Sequence, residues 1–233
     1  MIDIRGTFFL SGGGDENKTI IVDSVFLNSL QNNNILFIPI AKTSDMNGYK
    51  KSCKWVKNKL NKISKTPIEV SMMLDFHKYE NINKFSAIYI GGGNTYKLLK
   101  LMKESNFLPI LKKYIKNGGI IYGASAGAVL MGYKISTLIE EKYLIENKKH
   151  KYRSTRGFNL IGNYSVLTHY KEEEKEKIQS YFKNNNNAII AIPEGAGLII
   201  KDSTARIIGD QPVTIFRKDL TITKLDPTTI FVL

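Results

Sequence analysis

Apolar runs of strand length alternate with helical patterns through the first two thirds of this 233-residue chain. "GTFFLSGGG" reads as a strand and a turn, "TIIVDSVFLNSL" as a helix and "NILFIPIA" as a strand. Residues 46–63 have the spacing of an amphipathic helix, "IEVSMML" that of a strand, and "SAIYIGGGNT" that of a strand and a turn. Helical stretches cover 96–117, and "GGIIYGASAG" is again a strand running into a turn. Strands of continuous apolar character separated by helices predict a parallel sheet covered on both faces. The expected fold class is therefore α/β, a mostly parallel sheet flanked by helices on both faces. After Gly157 the pattern changes to "NYSVLTH" as strand, 172–183 as helix and "AIIAIPEG" as strand. Short β-like pieces from 197 to 233 read as hairpins that close the fold. No linker or repeat divides the chain, so 1–233 is expected to form one domain.

Composition removes several function classes. No apolar run approaches the ~20 residues of a spanning helix, so no membrane partner is expected. The start "MIDIRGTFFLSGGGDE" looks like a first strand rather than a secretory signal, which makes the cytoplasm the expected compartment. Cys53 is the only cysteine, which excludes an internal disulfide. It falls on a helical stripe with Met46, Tyr49, Val56, Leu60 and Ile63, as a packing residue would. The net charge of +13 raises the question of nucleic acid. However, Lys50, Lys51, Lys54, Lys57, Lys59 and Lys62 lie between the apolar positions of one helix, as its wet face. Other lysines are mixed with glutamates, as in "YKEEEKEKIQSYFKN", and no basic stripe carries interleaved aromatics. No nucleic-acid partner is expected. With no histidine pair at ligand spacing and no cysteine cluster, neither a metal nor another cofactor is expected.

The chemistry concentrates in residues 118–132, "GGIIYGASAGAVLMG". Tiny residues crowded around one serine suit a tight helix–sheet contact, a phosphate cradle, or a serine held on a sharp turn so that it can react. Gly123, Ala124, Ser125, Ala126 and Gly127 match G-x-S-x-G between a strand and a helix, the context of a nucleophile elbow. The Ala126 amide would then face a developing oxyanion. Such a serine needs a base. Of the three histidines, His77 follows a strand in "MLDFHKYEN", His150 lies in the highly charged "ENKKHKYRSTR", and His169 ends the apolar run "YSVLTH" at a strand's carboxyl end, as Ser125 does. In open α/β sheets, ligands gather at the carboxyl ends of strands, so His169 is the expected base. The acid that orients it has two candidates. Glu194 stands just beyond the strand "AIIAIP", and Glu140 follows the nucleophile helix; geometry favours Glu194. A second glycine turn, "GGGNTYKLL", places Gly92, Gly93 and Asn94 at another strand end. Asn94 or Thr95 is suited to cap the next helix, and the Gly93 amide to complete the oxyanion hole. "SGGGDE" at 11–16 reads as a plain turn.

"GGGNTYKLL", then "YGASAGAVLMG", then "GFNLIG…VLTHY" resemble the peptidase E family. The likeness runs from "FFLSGGG" to "IPEGAGLII", most of the chain. These are serine hydrolases that include the α-aspartyl dipeptidases and, more distantly, the cyanophycinases. The resemblance implies a fold related to class I glutamine amidotransferases. It also implies Ser125 as nucleophile, His169 as base, Gly93 and Ala126 as oxyanion donors, and a small peptide as substrate. The chain departs from the family pattern after His169, where "YKEEEKEKIQ" lacks an arginine for an acidic side chain. Arg153 and Arg156 are the basic alternatives, Arg156 as the candidate for a substrate carboxylate. Two rival readings use the same residues. One is a non-catalytic module that binds a small anion, and the other an amidase or esterase of nonpeptide substrates.

Overall fold

The computed structural model of the chain describes residues 5–42, 45–78, 81–136, 154–183 and 185–233. Its strands from the first half are β1 (Thr7–Ser11), β2 (Asn34–Ile38), β3 (Glu69–Met72), β4 (Ala87–Ile90) and β5 (Ile120–Ala124). They lie in the order β3-β2-β4-β5-β1 and every pairing among them is parallel. Helices α1 (Ile20–Leu27), α2 (Met46–Asn61), α3 (Thr95–Glu104) and α4 (Phe107–Lys116) lie in the connections between these strands, and α5 (Ala126–Met131) follows β5.

The apolar runs are continuous because both faces of these strands are covered. Side chains alternate across the sheet. Phe8, Leu10, Ile88, Ile90 and Ile121 belong to one core cluster with Leu98, Leu111 and Leu130 of α3, α4 and α5. Their neighbours Phe9, Tyr89 and Tyr122 join the other cluster with Val22 and Phe26 of α1 and Val56 of α2.

The sheet is mixed, which corrects the expectation of a mostly parallel one. β8 (Ala196–Lys201) pairs antiparallel with β1, and β9 (Thr204–Gly209) and β12 (Ile230–Val232) extend it antiparallel to eight strands. The cause is local. Only Asp202 and Ser203 join β8 to β9, at φ 48° and 60°. A two-residue connection with both φ positive makes an antiparallel hairpin, whereas a parallel pairing needs a long crossover.

A second sheet is also present. It has the order β11-β10-β7-β6, from β6 (Tyr164–Thr168), β7 (Ala188–Ile192), β10 (Val213–Phe216) and β11 (Ile222–Leu225). β6 and β7 pair in parallel. One face of this sheet enters the α5 side of the core through Val166, Ile190 and Ile215. The other packs on α6 (Lys175–Tyr181) through Leu167, Ile189 and Ile178.

One lysine of α2 departs from the expected wet face. Lys59 is only 4% exposed, and its ammonium donates to Asp23 Oδ2 of α1 at 2.8 Å. Asp23 also accepts from Thr19 Oγ1 at 2.7 Å and from the Tyr122 hydroxyl at 2.8 Å. α1, α2 and β5 therefore share one buried carboxylate. Lys59→Met would strand that charge, and removing one partner of a buried pair costs about 3 kcal/mol. Urea unfolding of Lys59→Met is expected to read a loss of that size; a loss under about 1 kcal/mol would show that Asp23 needs no cation.

Candidate active site

Ser125 stands between β5 and α5 at φ 50° and ψ −111°, a strained conformation for a residue with a side chain. Its amide donates to the Ser11 carbonyl at 3.2 Å, and its own carbonyl accepts the first bonds of α5 from Ala128 and Val129. The turn closes only over missing side chains. A Cβ on Gly123 would lie 2.7 Å from the Ala128 amide nitrogen, and one on Gly127 would lie 2.3 Å from the Ile90 carbonyl oxygen. The small residues of "GASAG" are thus a packing requirement, and the bend turns the half-buried hydroxyl toward the cleft above the sheet.

His169 and Glu194 arrive at this hydroxyl from the second sheet. β6 and β7 run in parallel register with Thr168 beside Ile192, so their exits lie side by side. His169 sits at φ 56° and its amide donates to the Gly12 carbonyl at 2.9 Å. Its Nε2 lies 2.8 Å from Ser125 Oγ, and its Nδ1 lies 2.8 Å from Glu194 Oε1. The other carboxylate oxygen, Oε2, accepts from Lys18 Nζ at 2.7 Å. Hydrogen bonds from Lys18 and then His169 hold the Glu194 carboxyl below its ordinary range, against a smaller opposing effect of burial. Gly13 makes room for the imidazole: a Cβ there would come within 2.3 Å of His169 Cε1.

The second glycine turn adjoins Ser125. A Cβ on Gly92 would stand 3.2 Å from Ser125 Cβ, and one on Gly93, at φ 140°, would collide with the Ala41 carbonyl at 2.4 Å. Asn94 is fully buried; its amide donates to Ala41, and its Oδ1 accepts from Tyr96 and Lys97 to cap α3. Its side-chain oxygen is therefore committed to the helix. The Gly93 and Ala126 amides donate to no backbone carbonyl among the described residues. A cleft of about 730 Å³ opens over this ground, lined by Lys42, Trp55, Gly92, Ser125, His169 and Lys171 among others.

The remaining candidates lie elsewhere. The backbone of Arg156 pairs antiparallel with that of Lys134, and its guanidinium lies 5.3 Å from the Tyr133 ring centroid, apart from the residues that line the cleft. His77 lines a different cavity with Glu104 and Tyr114. Glu140, His150 and Arg153 fall outside the described residues. Among the described residues, no cluster of His, Cys, Asp or Glu could hold a metal. The sequence reading missed Lys18 and the part played by Gly12 and Gly13. The available signal was the triple glycine after β1, which repeats the triple glycine after β4.

A hydroxyl, imidazole and carboxylate linked in series can make an alkoxide-like nucleophile and shuttle its proton. Known proteins carry the same fold. A peptidase from an acI-B1 Actinobacterium superposes with a TM-score of 0.71 at 19% identity, covering 100% of this chain and 99% of that one. A putative peptidase E protein from Listeria monocytogenes EGD-e superposes at 0.63 and 22% identity, covering 87% and 97%. In sequence, the peptidase E of Pasteurella multocida (strain Pm70) is 26% identical over 98% of this chain and 99% of its own length. That of Haemophilus influenzae (strain PittGG) is 28% identical over 64% of this chain and 65% of its own length. The model of peptidase family S51 matches residues 8–208, a span that takes in all of β1 but Thr7, both glycine turns, Ser125, His169 and Glu194. By that match, the chain belongs to peptidase family S51.

Proposed function

We propose that the chain, as one domain of residues 1–233, is a cytoplasmic serine peptidase that hydrolyses dipeptides or other small peptides through an acyl-enzyme. The observation that carries this reading is the series Ser125 Oγ, His169 Nε2, His169 Nδ1 and Glu194 Oε1, with 2.8 Å at each hydrogen bond.

Ser125 Oγ attacks the scissile carbonyl carbon while its proton passes to His169 Nε2. The carbonyl π-electrons move onto oxygen, where the Gly93 and Ala126 amides stabilise the negative charge. Collapse of the tetrahedral adduct breaks the C–N bond, and His169 gives its proton to the departing amine. Water then attacks the ester, with His169 again taking and returning a proton, and the acid leaves Ser125 free. Glu194 accepts from the Nδ1–H, which keeps Nε2 the basic nitrogen and stabilises the imidazolium.

Glu194→Gln tests the acid. The amide keeps the shape but favours the wrong imidazole tautomer, a change that costs about 10⁴ in the best-known triad. Turnover is expected to fall at least ~100-fold. A loss of only a few fold would turn attention to Glu140.

The substrate end rests on the open cleft and its lysines. A peptide carboxylate would find Lys42 or Lys171 at the lining, where Arg156 is not. A screen of dipeptides varied at the first residue, with Ser125→Ala as control, tests the whole reading. Release of free amino acids by the unsubstituted protein alone supports it; turnover of esters or nonpeptide amides with all dipeptides inert would replace it.

A further inference from the structure

Both oxygens of Glu194 are engaged, and by distant parts of the chain. Oε1 faces His169, while Oε2 accepts from Lys18, 176 residues away. The backbone that presents Lys18 is pinned. The Asn17 and Lys18 amides both donate to Asp15 Oδ1 at 3.0 Å, and the Thr19 amide donates to the Asp15 carbonyl at 3.1 Å. Gly14, at φ 119°, leaves space for the contact; a Cβ there would stand 3.0 Å from Lys18 Cβ and 3.5 Å from Glu194 Cβ. The same loop ties to the exits of β6 and β7, the parallel pair of the second sheet. Gly12 accepts from the His169 amide at 2.9 Å, and Gly13 accepts from the Gly195 amide at 3.2 Å.

We propose that Lys18 is a positioning residue of the site, acting through Glu194 to aim the imidazole. The proposal rests on the reading of Glu194 as the orienting acid. A carboxylate bonded at one oxygen still turns about its last C–C bond. A second donor on a fixed loop removes that turn and keeps Oε1 on Nδ1. With side-chain exposures of 55% and 36%, the pair contributes little to stability. Its consequence is geometric, and small misplacements of catalytic groups weigh heavily on rate.

The test is a kinetic cycle on a dipeptide that the protein hydrolyses, using Lys18→Met, Lys18→Arg, Glu194→Gln and Lys18→Met with Glu194→Gln. Lys18→Met is expected to lower kcat about fivefold with KM within about twofold, as loss of an interaction felt only at the transition state does. Lys18→Arg, which keeps a donor, should stay within about twofold of the parent. In the Glu194→Gln background the Met substitution should add less than about twofold, because its target is gone. Three results would overturn the proposal: an unchanged kcat in Lys18→Met, a raised KM at constant kcat, or an undiminished fivefold loss in the Glu194→Gln background. If Glu194→Gln itself loses nothing, the role of Glu194 fails, a result distinct from these three.

Discussion

Ser125→Ala is expected to lower peptide hydrolysis by at least ~10⁴-fold while the protein stays folded. The substitution deletes the only atom that would form the acyl bond and leaves the elbow intact. Alanine fits wherever serine does, and the strained φ of 50° is borne by backbone bonds to Ser11, Ala128 and Val129 that do not involve the hydroxyl. Thermal unfolding of the variant should match that of the parent within a few degrees, because no buried partner is lost. The small remaining rate would come from the amides and the bound geometry, which act without the nucleophile. Residual turnover above roughly 1% of the parent would show that another group attacks the substrate.

His169→Ala should be comparably damaging, at least ~10⁴-fold, since nucleophile and base act as a unit and either loss disables both. The imidazole also makes both 2.8 Å contacts, so its removal separates Ser125 from Glu194 as well. His77 is the control. It lies in the short turn Phe76–Lys78 at a separate cavity, and its replacement by alanine should leave activity within a few fold. An essential His77 would refute the placement of the base.

The parallel half of the fold could be read from local pattern because its cause is local. Buried strands need apolar residues on both faces, and "TFFL", "ILFI" and "AIYI" carry them. The turns were readable for the same reason, since backbone crowding around Ser125 and Gly93 admits almost nothing but small residues. Partition into two sheets was not readable. β6 and β7 have the same apolar character as the strands of the first sheet, and their separation depends on α5 lying between the sheets. The antiparallel return of β9 along β8 was readable from the two-residue connection at Asp202 and Ser203, whereas the direction of β8 against β1 depends on a long-range pairing.

Long-range pairs were hidden for a different reason. Lys59 looks like any other lysine of α2, and the groups that compensate its burial, Asp23 of α1 and the Tyr89 and Tyr122 rings, lie on other elements. Lys18 likewise sits in a polar turn whose partner is Glu194. The order of strand ends does place His169 and Glu194 together, because adjacent parallel strands deliver their following residues to one edge. Arg156 had only its charge to recommend it, and in the structure that charge is stacked on Tyr133.

The most direct measurement is peptide mapping by mass spectrometry after brief exposure to a fluorophosphonate probe, which reacts rapidly only with an activated serine. The prediction is a single adduct on the peptide that carries Ser125, absent from Ser125→Ala and formed far more slowly in His169→Ala. An unmodified Ser125 in protein that hydrolyses dipeptides, or equal labelling with and without His169, would contradict an activated serine at the end of β5.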